Sequence, residues 1–263
     1  MSKSAAKCAF CEKRGSLTKG HVWPKWLNQI LPQTATHHEQ ETGLFYTFTP
    51  AVRGPEYAKR TKQGSARSRR PRNTCLRCNS GWMSSIEDMA IPSAMPLIEN
   101  RFALLNSFHQ TTVSALLCLI AMRMEFLGIM RAVTPQDRDW LRYYREPSSD
   151  WRIWIARYNG ERPEDNPARF YTVQLGSRQT DKVGAEYCNV QIVTLVLGEL
   201  CTHSIYSPVI DLDQFGYEGI TLTSIWPPTR FEIDTRFLPT VDDKAVLWLH
   251  EAFARESPPL PTA

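Results

Sequence analysis

Two Cys-x-x-Cys pairs, Cys8-Ala9-Phe10-Cys11 and Cys75-Leu76-Arg77-Cys78, constrain this chain more than any other feature. Each pair can clasp one edge of a tetrahedral site, and together they supply the four thiolates that zinc prefers. Residues 1–95 are therefore expected to fold around one structural Zn2+ held by Cys8, Cys11, Cys75 and Cys78. The competing readings are a redox pair or disulfides. Seven cysteines is an odd number, so a complete disulfide framework does not close. In a reducing compartment the paired cysteines read as metal ligands. Cys118, Cys188 and Cys201 stand singly in apolar segments and read as core residues.

The second pair is expected to lead into a helix from near Cys78 to about Ala90, ended by Pro92 and Pro96. The amino end of such a helix favours thiolate over thiol. Residues 12–74 separate the pairs, more than a compact zinc ribbon needs, so something further has to be built there. A helical turn is expected within 23–30, a strand over 44–49, and a basic irregular stretch over 59–74.

The opening residues are short and polar, which predicts no secretory leader. The apolar run 113–122 is stopped by Arg123 and Glu125, so it reads as a buried helix and not as a bilayer span. A cytoplasmic location and no membrane partner are the expectations. Residues 96–263 read as an α+β domain with two helices before a mainly antiparallel sheet. The helices are expected over 107–130 and from Pro135, capped by Thr134, to about Arg145. The apolar period then shifts to two, predicting strands over 151–158, 169–175, 189–197, 200–206 and 220–225. Gly198-Glu199 predicts a tight hairpin, and 242–255 a closing helix. Trp140, Trp151, Trp154, Trp226 and Trp248 are read as core, and His109, His203 and His250 as structural or exposed. No phosphate-cradling glycine loop, dinucleotide fingerprint or Ser-His-Asp order is present.

Between the cysteine pairs stands Leu17-Thr18-Lys19-Gly20-His21-Val22-Trp23-Pro24, and the second pair continues Asn79-Ser80-Gly81-Trp82-Met83. The order Cys-x-x-Cys, His-Val-x-Pro, Cys-x-x-Cys-Asn resembles the HNH endonuclease family over residues 8–90. It is most similar to bacterial and phage members that read Gly-Trp-Met after that Asn. The resemblance implies a zinc-bound, treble-clef-like ββα-metal module, in which a hairpin and a helix cradle a catalytic Mg2+ or Mn2+. It implies His21 as the general base that activates water against a phosphate of DNA. It also implies Asn79 as a ligand of the catalytic cation. Two positions depart from the family pattern. Gly20 stands where Asp or Glu usually binds the cation, and Arg70 stands where the middle Asn lies, with Asn73 the nearest substitute. Glu87, two helical turns beyond Asn79, and His37, His38 and Glu39 are candidates to complete the ligand set. The plainer readings are a solvated helix residue for Glu87, a surface loop for His37 and His38, and a buttress of the zinc hairpin for His21.

The chain carries a net charge of +4 at pH 7, and its cations are concentrated. Arg53, Lys59, Arg60, Lys62, Arg67, Arg69, Arg70, Arg72 and Arg77 face the single acid Glu56 within 53–77. Such a stretch binds phosphate backbones through counterion release, and arginine suits bidentate phosphate contacts. Arg67, Arg69, Arg70 and Arg72 are the candidate nucleic-acid-binding residues; the alternative is a solvated loop. Trp23, Trp26 and Trp82 can stack on bases, but in a small zinc module they read first as core. The expected function is a metal-dependent HNH-type endonuclease acting on DNA. The alternatives are a degenerate zinc module that binds nucleic acid without cutting it, or a protein-interaction scaffold.

Overall fold

The structure is a computed structural model that describes residues 6–31, 37–46, 56–63, 70–127, 131–161, 168–176, 179–180, 186–187, 190–209, 211–214, 217 and 219–256. Its amino-terminal part is a short ladder and a helix. Strand β1 (Leu17–Lys19) pairs antiparallel with β4 (Arg72–Cys75), matching Leu17 to Cys75 and Lys19 to Arg72. The single turn α1 (Leu27–Ile30) follows the His-Val-x-Pro segment. A helical segment, Cys78–Met83, kinks at Gly81 and continues as α2 (Ser84–Ile98).

Helix α2 runs through Pro92 and Pro96, where the sequence predicts its end. A proline inside a helix costs about 3 kcal/mol because it loses one hydrogen bond and crowds the carbonyl four residues back. Here the buried face is Ile86, Ala90, Ala94, Leu97 and Ile98, packed against α3 (Ser107–Met124). Pro92 and Asp88, whose carbonyl Pro92 leaves unbonded, lie on the exposed side, where water can take over. Tertiary burial outweighs the local penalty.

Helix α3 is the centre of the core. Asn106 caps it by accepting from the His109 N–H at 3.0 Å, and nearly every residue from Gln110 to Met124 is buried. The segment Ser107–Leu127 is long and apolar enough to cross a membrane by composition, but 83% of its apolar 18-residue window is buried inside the protein. Helix α4 (Pro135–Tyr144) begins with Thr134 as its cap and ends at Arg145 in the left-handed conformation, as the sequence predicts.

The main sheet contains β2 (His37–Tyr46), β3 (Glu56–Gln63), β6 (Trp151–Tyr158), β7 (Ala168–Gly176), β10 (Val190–Leu197), β11 (Leu200–Tyr206) and β12 (Thr223–Trp226). Their order across the sheet is β12-β6-β11-β10-β7-β2-β3, and β14 (Thr240–Val241) adds in parallel to β6. Neighbours are antiparallel except for β14 on β6 and β2 on β7. Two-residue strands form small ladders elsewhere: β5 (Leu104–Leu105) with β13 (Ile233–Asp234), and β8 (Gln179–Thr180) with β9 (Glu186–Tyr187). Ile153, Leu195 and Ile225 face α3, while Ala156, Val196 and Cys201 face α5 (Asp243–Glu256). Strand β10 is buried along its whole length, which explains why apolar residues occupy both of its faces, with Gln191 and Thr194 the polar exceptions. The fold class is α+β.

Two expectations for the first part change. The basic stretch 59–74 is not irregular throughout, because β3 and β4 occupy much of it. His37, His38 and Glu39 lie on a strand, opposite Gln63, Lys62 and Thr61, so the plainer loop reading of the two histidines gives way. The expected boundary near residue 95 falls inside α2, and one buried cluster runs from Cys8 to Leu238.

The β10–β11 turn has a strict steric need. Gly198 has φ +59°, and a Cβ there would lie 2.5 Å from the Ile98 carbonyl oxygen, which also accepts from the Glu199 N–H at 2.9 Å. Gly198→Ala is expected to cost about 1–2 kcal/mol for the left-handed backbone alone, and more for the collision. A urea unfolding curve with a midpoint unchanged from wild type would contradict this.

Candidate metal centre and the adjoining histidine

The first cysteine pair sits on a tight reversal. Lys7 bridges to Arg14, the Cys8 N–H donates to the Lys13 carbonyl at 3.0 Å, and Glu12 turns the chain with φ 56°. The second pair joins the end of β4 to the start of the helix. The two are tied through backbone: the Ala9 N–H donates to the Asn73 carbonyl at 2.8 Å, and the Cys75 N–H donates to the Cys8 Sγ at 3.3 Å.

The four Sγ atoms lie within 4.8 Å of one another, with Cys11 and Cys75 at 3.7 Å. Four sulfurs at about 2.3 Å from one tetrahedral zinc stand about 3.8 Å apart. The spacing fits a shared ion and is far too long for a disulfide. Cys8 and Cys78 are buried, while Cys11 and Cys75 are partly exposed. Burial opposes charge on Cys8, but the N–H groups of Cys75, Phe10 and Cys11 bring its pKa down to about 7. Burial pushes the Cys78 thiol up, and the Cys8 charge beside it acts in the same direction. Four sulfurs this close cannot all ionise without a cation between them. The group can hold a metal ion such as zinc. Cys118 and Cys201 lie in the core as expected, and Cys188 lies outside the described residues.

The ladder carries His21 away from this cluster and toward Arg70. His21 is half-buried, and burial followed by the charges of Arg70, Lys25 and Arg123 lowers its pKa below 6.5. The imidazole is therefore neutral at pH 7 and able to accept a proton. Gly20 is buried, and a Cβ on it would meet the Asn79 Oδ1 at 3.1 Å and the Thr74 Oγ1 at 4.0 Å. The carboxamide of Asn79 thus leans over the backbone beside His21. Gly20, His21, Asn79 and Arg70 share one neighbourhood.

Glu87 is held by the buried Arg123 guanidinium at 2.7 Å, an ion pair that locks α2 to α3. Arg123 is also one of the cations acting on His21, so the pair stands near it. Among the described residues, the four cysteines are the one group of three or more His, Cys, Asp or Glu that could hold a metal. The donors next to Gly20 do not make a Mg2+ shell, which wants a carboxylate. Arg72 is exposed, as is Arg70; Arg67 and Arg69 lie outside the described residues.

Sequence reasoning missed Arg123 and Lys25 as part of the His21 surroundings. Arg123 reads in sequence as the stop of an apolar run, and only the packing of α2 on α3 brings it here. It also placed Trp140 in the core, whereas Trp140 is 41% exposed. Trp23 and Trp82 are buried, as the module's small core requires. His203 is a buried structural residue, bonded to Thr194 and Tyr217. His109 bonds the Leu104 carbonyl at 3.1 Å.

Compared with known proteins, the chain matches no protein family, no curated protein and no solved structure.

Two outcomes are expected. Purified protein should carry one metal ion per chain, zinc foremost, and Cys78→Ser should lose it together with the fold of 6–31 and 70–90, read by metal analysis and circular dichroism. Glu87→Gln leaves Arg123 buried without its counter-charge and should cost about 3 kcal/mol in a urea titration, whatever its effect on activity.

Proposed function

We propose that this chain is an HNH-type endonuclease hydrolysing DNA phosphodiester bonds, with structural Zn2+ at Cys8, Cys11, Cys75 and Cys78 and with His21 as general base. The observation that supports it is the meeting of Gly20-His21 with Asn79, at the end of a two-strand ladder whose other end is tied by cysteines. A neutral imidazole takes a proton from water, the water oxygen attacks phosphorus, and the bond to the leaving sugar oxygen breaks. Arg70 and Lys25 supply positive potential beside His21, where phosphate charge builds in this reading. Mg2+ or Mn2+ belongs to this reading as the catalytic cation, although the described side chains beside His21 do not complete its shell.

A second reading is a module that binds nucleic acid without cutting it. What favours it is residue 20 itself: Gly20 offers no carboxylate to a cation, and the nearest side-chain oxygen to its Cβ position is the neutral Asn79 Oδ1 at 3.1 Å.

Plasmid nicking across magnesium, manganese, nickel and no added cation separates the two, with His21→Ala alongside. The nuclease reading expects cation-dependent nicking that His21→Ala reduces at least about a hundredfold. The acid limb of its kcat/KM profile should lie below pH 6.5, and Arg70→Ala should move it upward, because a cation that disfavours imidazolium is removed. Nicking by wild type no greater than by the variant in every metal would sink the enzyme.

A further inference from the structure

Helix α4 lies against the zinc module with one face and leaves the other bare. Inward, Arg138 pairs with the buried Glu125 and reaches the Ala9 carbonyl in the first cysteine knuckle at 3.5 Å. Outward stand Trp140, Tyr143 and Tyr144, which are 41%, 71% and 61% exposed. The Trp140 and Tyr144 rings lie against each other with centroids 4.3 Å apart and planes tilted by 37°. The Arg142 guanidinium lies 4.4 Å from the centre of the Tyr143 ring. Arg145 turns back in the left-handed conformation and sets its half-buried guanidinium, one nitrogen of it wholly enclosed, 5.6 Å from the centre of the buried Trp82 ring, three residues beyond Asn79.

Two arginines and two acids, Asp139 and Glu146, share this end of the helix, and among the described residues one of the arginines is left unpaired. Arg142 pairs with Asp139 at 3.0 Å, but Arg145 has no carboxylate partner among the described residues. Burial, and then the charge of Arg142, lowers the pKa of Arg145, so two guanidiniums crowd each other at the helix end. Exposed aromatic rings interleaved with planar cations are what flat, negatively strung ligands require. Each base offers a π-face whatever its identity, and each phosphate offers charge to the arginines. A duplex hides its base faces, whereas a single strand presents them.

We propose that the outer face of α4, with the rings of Trp140, Tyr143 and Tyr144 and the guanidiniums of Arg142 and Arg145, is a stacking platform for unpaired bases of a nucleic-acid strand. The proposal deepens the endonuclease reading and rests on it: the preferred substrate is DNA with an unpaired segment beside the cut, and α4 holds that segment while the backbone passes His21.

The test is binding of fluorescein-labelled oligothymidylate and of a blunt duplex, by anisotropy, without divalent cation. It compares the full chain with Tyr143→Ala, Tyr144→Ala, Tyr144→Phe and Arg145→Lys. Tyr144→Ala and Tyr143→Ala should each weaken oligothymidylate binding about tenfold and leave the duplex nearly unchanged. Tyr144→Phe keeps the ring and should bind as wild type does. Arg145→Lys keeps the charge but loses the planar stack, and should weaken the single strand alone. Both tyrosines are exposed, so melting curves should match wild type. Equal losses on both DNAs, or none on oligothymidylate, would overturn the platform. If wild type nicks plasmid through His21 yet the tyrosine variants bind the single strand normally, the platform falls and the endonuclease stands. If wild type binds neither DNA at low salt, both fall. A dimer that Tyr143→Ala dissociates, with oligothymidylate affinity intact, would make this face a contact between two copies.

Discussion

Four sulfur atoms from two distant stretches of chain meet within bonding distance of a single ion, and the amino-terminal part depends on that meeting. Its ladder is only a few residues long, and α1 is one turn. Such elements do not hold themselves in water. The N–H bonds from Cys75 to the Cys8 sulfur and from Ala9 to Asn73 set the two knuckles edge to edge, so the ladder, the His21 segment and the helix inherit fixed positions.

The remaining support comes from buried ion pairs. Glu87 and Arg123 fasten α2 to α3, and Glu125 and Arg138 fasten the end of α3 to α4. Glu125 also accepts from the N–H groups of Ala132 and Val133 at 3.0 and 3.3 Å, so its charge is well solvated by protein. Thr134 caps α4, and its N–H donates to the Tyr206 hydroxyl at 3.2 Å, while that hydroxyl donates to Asp137 at 2.7 Å. Helix α4 is thus anchored to the sheet and to the cysteine knuckle at once. Buried charges of this kind fix geometry more than they add stability.

Much of this was legible in the sequence where the signal is local. Thr134 and Pro135 mark the start of α4, alternation marks β6, and Gly198 marks its hairpin. The cysteine spacing foretold the sulfur cluster. What was not legible depends on distant partners. Strand β2 is held by β7 through residues such as Thr42 and Thr172, and nothing around residue 42 announces residue 172. Pro92 and Pro96 argued locally against a helix that packing imposes. The exposure of Trp140 was hidden because a tryptophan in an amphipathic helix reads as core until the neighbouring helices are placed.

The contact between Gly20 and Asn79 ties two positions that lie far apart in the chain. A side chain larger than hydrogen at 20 asks the carboxamide at 79 to move, and a carboxamide that has moved leaves a gap that glycine cannot fill. Changes at the two positions are therefore not independent. A Cβ at 20 would ask the Asn79 carboxamide to give by a few tenths of an ångström, so a double-mutant cycle across 20 and 79 should show coupling.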